Sequence, residues 1–162
     1  MKALISATLR AFTDPGLAPT RMPAALDILV GHLQSLVLLA ARLYVANIFF
    51  TSGLTKLRDW SATLALFHDY YQVPLLPPTL AAYMGAAGEL AIPVLLVLGL
   101  AGRFAGAGLF VVNLMAALSL PAEDLSPAGE LQHVLWGVLA VVIALWGAGR
   151  WSVDRWMATR SA

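Results

Sequence analysis

The chain has 162 residues, 60% of them hydrophobic and 12% charged, with a net charge of +1 and no cysteine. Soluble domains carry about twice that charged fraction, so this composition cannot cover a soluble surface, and a mean hydropathy of +0.79 places the chain among integral membrane proteins. The missing cysteines exclude disulfides, thiolate zinc sites, iron–sulfur ligation and haem attached through Cys-x-x-Cys-His; the small net charge offers no argument for a nucleic-acid partner.

In chain order, residues 1–34 are expected to form an amphipathic or interfacial N-terminal extension. Lys2–Phe12 has the pattern of a short amphipathic helix with Lys2 and Arg10 on its polar side. It does not read as a signal peptide, because Arg10, Asp14 and Pro15 interrupt the apolar run. Asp14-Pro15-Gly16 and Pro19 mark a turn, and Ala24–Gln34 either extends the first span or lies in the interface before it.

Four apolar runs follow. The first is Ser35–Thr55, about the length that a hydrocarbon core of roughly 30 Å requires. Lys56–Pro78 reads as an exposed connection with one amphipathic turn or helix around Trp60–Tyr71. The second run is Thr79–Leu100, closed by the tight Ala101-Gly102-Arg103 connection, and the third is Phe104–Leu120. Pro121–Glu130 is a short acidic loop, Leu131–Ala148 is the fourth run, and a tail from Gly149 carries Arg150, Arg155 and Arg160.

The fold class read from this pattern is an all-α membrane protein, a four-transmembrane-helix up-down bundle over residues 35–148 with a cytoplasmic tail at 149–162. The termini and the 101–103 turn hold Lys2, Arg10, Arg21, Arg103, Arg150, Arg155 and Arg160, against Lys56 and Arg58 in the other two loops. Positive residues stay inside, so both termini are expected in the cytoplasm.

The polar residues inside the runs are the candidate site. Arg42 costs about 2.5 kcal/mol or more at mid-helix unless partnered, and it shares a stripe with Ala46, Phe49, Gly53 and Lys56. Glu89 shares a small-residue face with Ala82, Gly85, Ala86 and Pro93. Pro93 lacks an N–H and frees the Glu89 carbonyl. Counted from the cytoplasmic ends, Arg42 lies ~10 Å and Glu89 ~16 Å deep, so Arg42 is expected to pair with Glu89. Two readings of that pair stand side by side: a register lock, or a polar core that binds a ligand or handles protons.

Asn47 and Asn113 near mid-depth suit interhelical hydrogen bonds. Gln132 and His133 open the fourth run level with Lys56; His133 is either an interfacial histidine or a group that hydrogen-bonds a ligand carbonyl. His32, His68 and His133 are too scattered for a metal or a bis-histidine haem. Trp146, Trp151 and Trp156 fit interfacial anchoring, and Trp136 shares the His133 side.

The first run with Arg42 and Thr51–Lys56 (TSGLTK), the stretch Gly88–Arg103 (GELAIPVLLVLGLAGR) and the tail Gly147–Trp156 (GAGRWSVDRW) resemble the DoxX family of small bacterial membrane proteins. The most specific piece is a Gly-x-Gly-x-x-Ser-x-Asp pattern matched by Gly147, Gly149, Ser152 and Asp154. The resemblance implies a four-helix inner-membrane protein associated with redox partners. In one case these are a thiosulfate:quinone oxidoreductase, in another an oxidative-stress complex with superoxide dismutase and a sulfurtransferase; other members accompany operons for modified metal-binding peptides.

The leading expectation is a non-catalytic membrane subunit that anchors a redox or stress-response assembly and offers a quinone-type pocket. Arg42 and Glu89 would form its polar core and Lys56 with His133 its outer mouth. Its partners would be lipid and either another protein or a second copy. The rivals are an oligomeric transporter or exporter component and a purely structural membrane protein.

Overall fold

The computed structural model describes residues 24–121 and 123–160. Lys2–Phe12 and the turn after it fall outside them. Residues 1–34 and 35–162 separate as two compact units, and the second carries the candidate site.

Among the described residues there are six helices and no strand. They are α1 (Ala24–Arg58), α2 (Trp60–Asp69), α3 (Pro78–Leu98), α4 (Gly102–Ser119), α5 (Pro127–Trp146) and α6 (Val153–Arg160). Four of them, α1 from Ile28 and all of α3, α4 and α5, are long and apolar enough to cross a membrane. Their outward faces carry residues such as Val37, Phe104 and Leu131, exposed by 65–72%, as expected where lipid is the solvent.

Helix boundaries follow local chemistry. Asp59 caps α2 by accepting from Ala62 N, and Ser61 adds a second donor to the same oxygen. These donors hold the Asp59 carboxyl below its usual range, the Ala62 N–H first among them. The fourth run begins earlier than its apolar pattern indicates: Ser126 accepts from Gly129 N, and Pro127 occupies the first turn, where its missing N–H costs nothing. Gly99 ends α3 at φ 67°, a conformation glycine adopts without strain. Pro93 sits within α3 without ending it. Helix α6 in the tail is not foreshadowed by the sequence; its short polar segment has no long apolar period to announce it.

The core is built on close approach. A methyl at Gly106 would lie 2.6 Å from Ala144 N, and one at Gly102 2.8 Å from Ala148 N, so α4 meets α5 and the chain just after it backbone to backbone. Gly53 meets the side chains of Leu90 and Glu89 across the α1–α3 contact. Without a hydrophobic drive between helices in lipid, such packing and a few polar links must supply the association. The expected stripe is inward: Arg42, Ala46, Phe49 and Gly53 are buried, as are Ala82, Ala86, Glu89 and Pro93 on α3.

Candidate ligand-binding site

The expected Arg42–Glu89 pair does not form. Arg42, 1% exposed, donates from Nη1 to Ala148 O at 2.7 Å and from Nη2 to Trp151 O at 2.8 Å. Glu89 instead accepts from Lys56 Nζ at 2.6 Å. The reason is register. Gly53 packs on Glu89, while Arg42 lies against Gly99, where a Cβ would overlap Nη1. Eleven residues of α1 separate the two levels, about 16 Å at 1.5 Å per residue, beyond any side-chain bridge. Lys56 is only three residues past Gly53, and its flexible stem folds back to reach the carboxylate.

The two polar systems therefore sit at opposite ends of the helices. At the tail end, Gly147 and Gly149 take φ of 80° and 78°, turning the chain so that the Ala148 and Trp151 carbonyls meet the guanidinium. Ser152 Oγ donates to Gly149 O, and Asp154 accepts from Ala101 N and Gly102 N, each at 2.8 Å. Asp154 thus caps α4 from outside its own segment; Ala101, at φ 49°, has no side-chain cap to offer. Every residue of the Gly-x-Gly-x-x-Ser-x-Asp pattern is used in this closure.

At the other end lies a cavity of about 590 Å³, within the range of small-molecule sites. Its walls are mainly apolar, with Ile48, Phe49, Met84, Val112 and Met115 among them, and its polar groups are few: Ser52, Lys56, Tyr71, Glu89, Ser119 and His133. Lys56 also donates to Ser52 Oγ at 3.1 Å. Burial first, and then the Glu89 charge, push the Tyr71 phenol up. The loop carrying Tyr71 is tied to the end of α4 by Gln72 N donating to Ser119 O at 2.8 Å.

His133 faces the same space. Its Nδ1 lies 2.9 Å from Asn113 Oδ1, and Asn113 Nδ2 donates to His133 O, also at 2.9 Å. The Trp136 ring meets the imidazole edge at 5.1 Å between centroids. Trp136 also lines the cavity, and its Nε1 is buried without a hydrogen-bond partner among the described residues.

Of the other polar residues that the sequence suggests for the site, two turn away. Asn47 and Gln132 are exposed on the outer faces of α1 and α5. Each directly follows or precedes an inward residue (Ala46, His133), and one helical step of about 100° removes it from the interior. His68 Nε2 lies 2.9 Å from Thr79 Oγ1. No group of three metal-ligating side chains occurs among the described residues.

The DoxX family model matches residues 37–122, more than half of the chain. The chain belongs to the DoxX family. No curated protein and no solved structure gives a significant match. The DoxX match takes in Arg42, Lys56, Glu89 and Asn113 and stops before His133 and the tail motif. In this DoxX protein the α2 helix and the loop after it contribute Phe67 and Tyr71 to the cavity. Sequence reasoning does not find these two as site residues. The signal available is the pair of tyrosines directly before a proline-rich connection.

Proposed function

We propose that this DoxX membrane protein is a non-catalytic inner-membrane subunit of a redox or stress-response assembly, and that its cavity takes a quinone-type molecule. The observation that carries the reading is the apolar cavity whose few polar groups leave hydrogen-bonding capacity unspent. Lys56 has three N–H donors and uses two, and Glu89 Oε1 has no partner among the described residues. Trp136 Nε1–H is likewise unpaired. A flat ring with two oxygens at its ends fits that inventory: Lys56 and Trp136 supply donors for those oxygens, and the apolar walls hold the ring and the start of an isoprenoid tail. When bound, such a molecule supplies the electron chemistry; the chain's own residues hold it, exclude water and keep an ion pair beside it.

Arg42 is not part of this pocket reading, since both its Nη groups are committed to the tail. The orientation we propose puts both termini in the cytoplasm, on the charge asymmetry between Arg103, Arg150, Arg155 and Arg160 at one end and Lys56 with Arg58 at the other. A fluorescent protein that matures only in the cytoplasm, fused after residue 162, should glow; a dark, full-length fusion refutes the orientation.

The pocket is tested with purified protein in detergent and a short-tailed benzoquinone, followed by tryptophan quenching. Saturable binding that Lys56→Met weakens about tenfold is expected, one charge-assisted hydrogen bond being worth ~1.5 kcal/mol or more. No binding by the wild type, together with full cellular activity of Glu89→Gln, would remove the reading.

A further inference from the structure

His133 is placed so that the proton on its ring can be assigned. A backbone carbonyl only accepts, so the Asn113 atom that faces His133 O at 2.9 Å must be the amide nitrogen. That fixes the other amide atom, Oδ1, against His133 Nδ1 at 2.9 Å. An amide oxygen also only accepts, so Nδ1 must carry the hydrogen. The flipped amide would set two acceptors against each other at the carbonyl. Room for this arrangement is made by Gly137: a methyl there would sit 3.2 Å from Asn113 Nδ2.

The consequence lies at the other ring nitrogen. Among the described residues no carboxylate lies within ion-pair distance of the imidazole, and the ion pair recorded is Lys56 with Glu89. In the neutral ring, with the hydrogen on Nδ1, Nε2 is a lone-pair acceptor. It has no hydrogen-bond partner among the described residues, and His133 lines the cavity. A ligand carbonyl therefore finds no donor at His133, contrary to what the position of this histidine in the sequence suggests. A hydroxyl does find an acceptor.

We infer that Asn113 is a positioning residue that locks the His133 tautomer, and that the cavity selects ligands presenting an aromatic O–H over those presenting only ether or carbonyl oxygens there. This rests on the pocket proposed above and narrows it to the hydroxylated, reduced member of a quinone-type pair. Glu89 Oε1, the second open acceptor in the cavity, suits the same choice: two acceptors face a ring that carries two hydroxyls. Asn113 acts on the ligand only through His133 and Gly137 only through Asn113, so neither is a contact residue.

The test has two arms. In protein labelled with 15N-histidine, in a His32→Gln/His68→Gln background, the His133 spectrum at a pH where the ring is neutral should show a proton on Nδ1 and a bare Nε2. Asn113→Leu, and separately Gly137→Ala, should return the ring to the Nε2–H form that free imidazole side chains favour. A wild-type spectrum with the hydrogen on Nε2 overturns the lock directly, without any variant having to fold. In the second arm, tetramethylhydroquinone is compared with its dimethyl ether, in which a methyl group replaces each hydroxyl hydrogen, and the comparison needs no redox step. The hydroquinone should bind about tenfold more tightly, and Asn113→Leu should bring the ratio toward one. Equal binding of the two probes by the wild type overturns the selectivity and leaves the pocket standing. Binding of neither removes the pocket and the inference with it.

Discussion

Replacing Asp154 tests whether the tail motif holds the bundle shut. Its carboxylate accepts from Ala101 N and Gly102 N, each at 2.8 Å, and these are two of the first N–H groups of α4, which has no side-chain cap of its own. A single cap contributes roughly 0.5–2 kcal/mol, and a hydrogen bond to a charged group about 1.5–3 kcal/mol. The Ala101 bond is solvent-exposed and belongs at the low end, whereas the Gly102 bond is partly buried. Asp154 also faces the Arg42 guanidinium electrostatically. Asp154→Ala should therefore cost about 2–3 kcal/mol, by combining a reduced pair of charge-assisted bonds. Asp154→Asn keeps one acceptor but turns an NH2 toward the second donor, and should lose about half as much. The assay is unfolding in mixed micelles by increasing SDS fraction, followed by far-UV circular dichroism. Arg160→Ala, which removes an exposed guanidinium stacked 4.0 Å from the Trp156 ring centroid, is the matched control and should change little. An Asp154→Ala protein within about 0.5 kcal/mol of wild type, the range of ordinary surface changes, would refute the reasoning.

Gly106→Ala should destabilise the same unfolding transition by roughly 1–3 kcal/mol, because its methyl meets α5 backbone that cannot rotate away; Gly85→Ala, whose methyl would sit 3.5 Å from the Phe67 ring, should be tolerated. Similar losses for the two would contradict the α4–α5 contact. Lys56→Met leaves Glu89 buried and unpaired and should cost about 3 kcal/mol or more, while Lys56→Met/Glu89→Leu should recover most of it. A double variant no better than the single would show that the pair is not the source of the loss. The Tyr70 hydroxyl donates to Asp124 Oδ2 at 2.8 Å, and chiefly for that reason its phenol stays protonated above the ordinary range. With the folded value raised, the bond's contribution is complete below the unfolded phenol value and disappears as pH rises through the folded one. In a protein with Tyr44, Tyr71 and Tyr83 replaced by Phe, Asp124→Asn should bring phenolate absorbance in at lower pH; an unmoved titration would count against the bond.

How much of this can be read from the residues is best judged at Arg42, Asn47 and Glu89. Periodicity finds the right faces: the stripe Arg42, Ala46, Phe49, Gly53 and the face Ala82, Ala86, Glu89, Pro93 are both buried. The same stripe, taken strictly, already turns Asn47 outward, so that residue is misplaced by counting depth without angle. The Arg42–Glu89 pairing fails for a different reason. Depth measured from the ends of two apolar runs assumes level ends, and α1 extends from Ala24 to Arg58, so its register against α3 is set by where Gly53 admits Leu90 and Glu89. That contact is tertiary, and no one-dimensional pattern contains it. The tail behaves in the opposite way: the Gly-x-Gly-x-x-Ser-x-Asp spacing is visible, but its work is done on Ala101, Gly102 and Arg42, at sequence distances of about fifty to more than a hundred residues.

The two polar systems differ in what they leave open, and that difference argues for where function resides. At the tail end Asp154 spends both oxygens on α4 and Arg42 commits both Nη groups to backbone carbonyls. Its Nε is buried without a hydrogen-bond partner among the described residues, but Arg42 does not line the cavity, and its removal would expose orphaned carbonyls in the interior. At the cavity end the open positions belong to residues that line the space itself: a third Lys56 N–H, Glu89 Oε1, His133 Nε2 and Trp136 Nε1–H all lack protein partners among the described residues. Unmet polar groups beside an apolar cavity weaken a fold, by about 1–3 kcal/mol for each that is fully buried, so a bundle shaped only for stability would close over them with apolar side chains. Their gathering around one cavity, which Arg42 does not line, is the arrangement expected when the tail closure holds four helices in place so that a site between them can stay incomplete.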